Sequence, residues 1–170
     1  MHADRLLVDD HDRIRGLLAQ LKTPGLGVGD RRALLNALID ELVVHVHLED
    51  ELFYPAVRAV SPMVAVALAE HRQIDDHLAA TLRTDPASAR FDDEMAALAA
   101  SIEGHAGEED REMFPQSHAL GDAALDALGA RMKARQDQLR RSKLAQLHIA
   151  AKRELLRRTG GRRKVTGASS

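Results

Sequence analysis

Histidine and glutamate recur four residues apart in the segment Val43-Val44-His45-Val46-His47-Leu48-Glu49-Asp50-Glu51-Leu52-Phe53-Tyr54-Pro55. A helix turns about 100° per residue, so His45 shares a face with Glu49, and His47 with Glu51. An imidazole stacked over a carboxylate can grip a metal ion, or it can be a solvated ion pair. Residues elsewhere in the chain decide which.

A shift of 60 positions returns the pattern as His105-Ala106-Gly107-Glu108-Glu109-Asp110-Arg111-Glu112-Met113-Phe114-Pro115. It superposes His11 on His71, His45 on His105, Glu49 on Glu109, Asp50 on Asp110 and Pro55 on Pro115. Self-similarity at a fixed period marks a duplicated unit, here residues 11–55 and 71–115. His47 falls on Gly107 and Glu51 on Arg111, so the pair common to both halves is His45/Glu49. Each half also supplies one earlier histidine, giving the set His11, His45, Glu49, His71, His105 and Glu109.

Four imidazoles and two carboxylates exceed the four ligands of a tetrahedral zinc site and suit two ions about 3.5–4 Å apart, spanned by the carboxylates. Nitrogen and oxygen donors disfavour copper(I) and iron–sulfur clusters, leaving iron, manganese and zinc. The plainer alternative is a set of polar core residues. Each buried unpaired polar group costs on the order of 1–3 kcal/mol, and a domain is held by only about 5–15 kcal/mol, so six such groups without a cation are hard to sustain.

Helical periodicity dominates the segments that carry these residues. Leu6, Leu7, His11, Ile14, Leu17, Leu18 and Leu21 form one stripe over Asp4 to Lys22, ended by the breaker run Thr23-Pro24-Gly25-Leu26-Gly27-Val28-Gly29. Asp30 reads as the cap of a second helix through Leu34, Leu38, Leu42, His45, Glu49 and Leu52, with a kink or local unwinding expected at Pro55. Ser61-Pro62 and Asp85-Pro86 read as start signals for a third helix carrying His71 and a fourth carrying His105 and Glu109. The fold class is all-α: an up-down-up-down four-helix bundle with an additional basic C-terminal helix. Residues 1–120 are assigned to the bundle, 121–160 to the helical extension and 161–170 to a disordered tail.

Net charge is −2, but residues 131–164 hold thirteen Lys/Arg against Asp137 and Glu154, leaving a strongly acidic body. Aromatics are 2% of the chain, too few to stack on bases, so nucleic acid is not an expected partner. The tail's leucines are expected to pack on the bundle or on a second copy of the chain, as a homodimer would. Cysteine is absent, and no run reaches the roughly 20 apolar residues of a membrane span, so no membrane partner is expected and a cytoplasmic location is the default.

Over about residues 5–120 the doubled His-x-x-x-Glu, followed by Phe-Tyr-Pro in one half and Phe-Pro in the other, resembles the hemerythrin-like (HHE cation-binding) domain, in its mycobacterial-type form. The resemblance implies two iron ions in an oxo- or hydroxo-bridged di-iron centre inside the bundle. His11, His45, His71 and His105 would be nitrogen ligands, and Glu49 and Glu109 bridging ligands. Oxygen-carrying hemerythrins have His-x-x-x-His on the third helix, whereas Asp75 stands four residues after His71. An exchangeable position on one iron is then expected. Asp110 is an alternative to Glu109 by analogy with the carriers, but the repeat favours Glu109.

Tyr54 is the chain's one tyrosine. On an ideal helix it lies about 180° from His45, where it would be an aromatic plug at the bundle end; a bulge at Pro55 would bring it to about 80°, as a phenol on or beside the metals and a candidate catalytic group. Asp50, Asp110 and Glu51 are expected on solvated faces, or as partners of an imidazole N–H. The resemblance implies a di-iron oxidoreductase acting on hydrogen peroxide, nitric oxide or O2, catalase-like or peroxidase-like. The alternatives are a non-catalytic iron or oxygen sensor working through a partner, and a metal-free structural bundle.

Overall fold

The computed structural model describes residues 1–141 together with 151, 154 and 155. The expectations for the far end of the helical extension and for the 161–170 tail lie outside those residues. The chain forms α1 (Ala3–Leu21), α2 (Val28–Leu48), α3 (Tyr54–Val57), α4 (Val64–Arg83), α5 (Ala89–Glu108), α6 (Phe114–Ser117) and α7 (Asp122–Arg141). Single π-helical turns, Glu49–Phe53 and Glu109–Met113, join α2 to α3 and α5 to α6. The long helices α1, α2, α4 and α5 make the bundle, and α7 lies across α1 and α2. Among the described residues no helix is long and apolar enough to cross a membrane.

Each bundle helix buries the stripe its periodicity requires: Leu6, Leu7, His11, Ile14, Leu18 and Leu21 on α1, and His71, Ile74 and Leu78 on α4. The apolar interior is split in two. Ile14, Leu18, Leu38, Ile39, Leu98 and Ile102 are among the residues at one end; Leu7, Leu48, Phe53, Phe114, Leu125 and Met132 are among those at the other. Buried histidines and glutamates interrupt the stripes between these clusters.

Three helix starts differ from expectation. α2 begins two residues before Asp30, because extended Gly27 (ψ 156°) already accepts from the Arg31 N–H at 3.0 Å. Ser61 Oγ accepts from the Met63 N–H at 3.2 Å, and Asp85 Oδ1 from the Ala87 N–H at 3.0 Å. These short polar side chains close turns ahead of α4 and α5 rather than capping them.

The change of pitch expected at Pro55 occurs in both halves. Proline lacks an N–H and crowds the preceding turn, and widening that turn relieves the crowding. The Tyr54 N–H reaches back five residues to the Glu49 carbonyl, and Phe114 does the same to Glu109. Every side chain beyond the wide turn is thereby rotated by about one residue relative to a regular helix.

Gly121 (φ 83°) makes the left-handed turn into α7, which glycine adopts without Cβ strain. Gly129 has a different reason: a Cβ there would collide with the Met1 carbonyl oxygen, because residues 1–3 cross α7 at that point.

Candidate metal centre

All six side chains singled out by the repeat are buried, none more than 7% exposed, between the two apolar clusters. They form two overlapping groups that share a carboxylate. His11, His45, Glu49 and Glu109 bring donor atoms within 4.8 Å of one another, and Glu49, His71 and His105 do likewise. Glu49 spans the groups, with Oε1 at 3.1 Å from His45 Nε2 and Oε2 at 3.2 Å from His71 Nε2. Glu109 Oε2 lies 3.4 Å from His11 Nε2 and 3.5 Å from His105 Nε2.

The wide turn brings Tyr54 inward. Its hydroxyl donates to Glu109 Oε1 at 2.8 Å and lies 3.1 Å from His71 Nε2. Its repeat counterpart Phe114 stacks 5.6 Å from the His11 ring and carries no polar atom to offer. Asp75 belongs to neither group.

Asp50 lies on an exposed face and Asp110 is half-buried, and both also meet an imidazole, the alternative expected for them. Asp110 Oδ1 is 2.9 Å from His11 Nδ1, and Asp50 Oδ1 is 3.3 Å from His71 Nδ1. Each acid braces an imidazole of the opposite half, and Glu109 rather than Asp110 faces inward. Two further acids were not anticipated: Glu70 Oε2 lies 2.9 Å from His105 Nδ1, and buried Asp10 approaches His45 Nδ1 at 3.8 Å. Their sequence signal is an acidic residue directly before the first histidine of each half, Asp10-His11 and Glu70-His71, in register across the repeat. Carboxylates behind imidazoles fix ring orientation and tautomer in metal sites. Glu51 stays outside with His47, both bonded to Arg135 of α7.

Burial opposes charge throughout the centre. It works against ionised Glu49, yet His45 and His71 outweigh it and hold that carboxyl well below the usual range. For Glu109 burial and the Glu49 charge prevail over His11 and His105, and its pKa rises. Burial depresses His71, but Asp50 and Glu49 more than offset it and push it up to about 9. His45 also ends raised, burial being outweighed by Glu49. Burial, then the Glu49 and Glu109 charges, raise Tyr54, keeping it a neutral donor.

The donor set fits a cation pair on structural grounds. His11 Nε2, both Glu49 oxygens and Glu109 Oε2 are buried without a hydrogen-bond partner, and they face one another. Acceptors so placed each carry a desolvation cost of about 1–3 kcal/mol, which a shared cation removes. Imidazole and carboxylate donors without thiolate suit iron, manganese or zinc.

Comparison with known proteins agrees with this geometry. Residues 2–117 match the hemerythrin HHE cation binding domain. Two mycobacterial proteins described as uncharacterized, Rv2633c of Mycobacterium tuberculosis and Mb2666c of Mycobacterium bovis, are 34% identical over 159 residues, covering 92% of this chain and 99% of each relative. The crystal structure of a hemerythrin HHE cation binding domain-containing protein from Mycobacterium kansasii, an Rv2633c homolog, superposes with a TM-score of 0.81 at 37% identity, over 91% of this chain and 98% of that one. A family match over more than half the chain, with a buried His/Glu cluster at the bundle centre, means that this chain belongs to the hemerythrin HHE cation-binding family.

Proposed function

We propose that the protein holds two iron ions through His11, His45, Glu49, His71, His105 and Glu109 and redox-processes hydrogen peroxide or nitric oxide, in a catalase-like or peroxidase-like detoxification. The ions supply the two-electron exchange with the small ligand; the chain supplies position, proton handling and exclusion of water. The observation that carries the reading is Tyr54. Its hydroxyl reaches Glu109 and His71 inside, and its ring lines a cleft of about 400 Å³ opening between Asp50, Pro55, Arg58 and Pro62. A small ligand entering there meets a neutral phenol first. Tyr54 can lend its proton to a ligand oxygen, and its hydrogen bond to Glu109 Oε1 holds the hydroxyl in position for that transfer. Phe53 and Phe114 close the centre on the apolar side.

Stopped-flow mixing of iron-loaded protein with hydrogen peroxide, and separately with nitric oxide, tests this reading. Consumption well above that of equimolar free iron is expected, and none above free iron would sink it.

A second reading is a non-catalytic sensor in which iron occupancy is read through α7. It is favoured by the bond from Gln136 on α7 to Asp10 behind His45. It requires a large rise in thermal stability on iron loading without turnover.

A further inference from the structure

The repeat makes Asp10 the counterpart of Glu70 and His45 the counterpart of His105, so the two halves contain an internal control. Glu70 meets His105 Nδ1 at 2.9 Å. Asp10 stands 3.8 Å from His45 Nδ1, and Asp50 stands 3.3 Å from His71 Nδ1; neither nitrogen makes a hydrogen bond, so the contrast between the halves lies in the shorter 2.9 Å contact of Glu70 and the closer approach of Asp50. Asp10 is one methylene shorter, and it is also held elsewhere. The Gln136 amide donates to both of its oxygens, at 3.0 and 3.1 Å, and Arg13 pairs with Oδ1. Gln136 is 3% exposed and Asp10 1%, so this contact is locked in place.

The sharing extends to the other imidazole of the same group. Asp110 behind His11 also binds Arg15 at 2.5 Å. Among the described residues, Asp50 and Glu70 have no ion pair or hydrogen bond beyond the histidines they brace. Helix α7 explains part of the difference, since it packs on α1 and α2 of the first half. A carboxylate that accepts fully from a ligand's Nδ1–H makes that imidazole a stronger donor, and such partners are worth about 10–100-fold in metal affinity.

We propose that Gln136, reaching in from α7, is a positioning residue that draws Asp10 off His45 and makes the two metal positions unequal. The ion held by His11 and His45 is the looser and more exchangeable one, and the ion held by His71 and His105 is the firmer. This rests on the two-iron reading above and adds which iron is labile and what makes it so.

Iron release from full-length iron-loaded protein to an excess chelator, followed optically, tests the proposal without reference to turnover. The wild type is expected to lose its two irons in two phases whose rates differ about tenfold or more. Gln136→Leu frees Asp10 Oδ2, the oxygen nearer His45, while Arg13 and Arg140 still hold Oδ1, and slows the fast phase severalfold. Glu70→Gln accelerates the slow phase about 10–100-fold, whereas Asp10→Asn, at a contact already lost, changes the fast phase less than about threefold. Circular dichroism and unfolding midpoints check that each variant is folded; should the buried Gln136→Leu change prevent folding, the Asp10/Glu70 pair decides alone. Single-phase release of two irons, equal effects of Asp10→Asn and Glu70→Gln, or unchanged phases in folded Gln136→Leu each overturn the inequality while leaving the di-iron reading intact. Fewer than two irons per chain overturns both.

Discussion

The two halves of the bundle share a plan and differ in what they do with it. Each presents an early histidine, a His-x-x-x-Glu pair, a wide turn and a proline. At the position after the wide turn the first half places Tyr54, bonded to Glu109 and His71, and the second places Phe114, which only stacks. Glu49 connects two groups of donors, while Glu109 answers to His11, His105 and the phenol. Duplication therefore built the frame for the cations, and later divergence of single residues gave its two sides different tasks.

The sharpest way to break this comparison is at the carboxylates. Because Glu49 belongs to both groups, Glu49→Gln is expected to weaken binding of both ions by more than about 100-fold, whereas Glu109→Gln costs less and falls mainly on one ion. Iron content after dialysis against a graded chelator series measures the difference. Equal losses would mean that Glu109 serves both ions as Glu49 does.

The aromatic pair comes next. Tyr54→Phe is expected to slow peroxide turnover by about 100-fold, the scale of a lost proton-transfer group, while Phe114→Tyr leaves the rate within about twofold. Steady-state oxygen evolution from peroxide compares them.

Charge gives a third, smaller effect. The His71 pKa lies near 9 when folded against 6.5 as its ordinary value, so its stabilisation is complete below pH 6.5 and is lost as pH rises through about 9. Iron-free protein is thus expected to be less stable at pH 9.5 than at pH 6, by at most on the order of 3 kcal/mol. Iron affinity should run the opposite way, since only unprotonated imidazole binds a cation. Urea unfolding at both pH values, with and without iron, separates the two trends.

The smallest effect tests the packing of α7 on the first half. Gly129→Ala sets a methyl against the Met1 carbonyl and should cost about 1–3 kcal/mol, read as a lower urea midpoint.

Much of this was legible in the sequence because the repeat acts as its own alignment. The four bundle helices and the six inward donors follow from periodicity and register. Pro55 pointed to a disturbed pitch, and the structure places it one turn upstream of that proline and, in the second half, of Pro115. The bracing carboxylates were only partly legible: Asp50 and Asp110 stay partly in solvent and also meet imidazoles of the opposite half, one of the two positions their spacing allows. Asp10 and Glu70 lie one residue from a histidine already assigned inward, and their register across the halves was the missed signal. Gln136 left no trace, because a glutamine in a basic helix looks like solvent-facing polarity until the partner helix is known. The three displaced helix starts came from Ser61, Asp85 and Gly27, where local turn bonds compete with capping.

The five-residue turn after Glu49 has one more implication, for how such proteins change over generations. Its surplus residue lies downstream of His45 and Glu49, so losing one codon between 50 and 53 would restore regular pitch without disturbing either of them. Everything beyond would swing by about 100°, carrying the phenol out of the interior. Small insertions and deletions at this joint, and not only point substitutions, can therefore move the phenol in or out of the interior while the His/Glu cluster upstream is inherited intact.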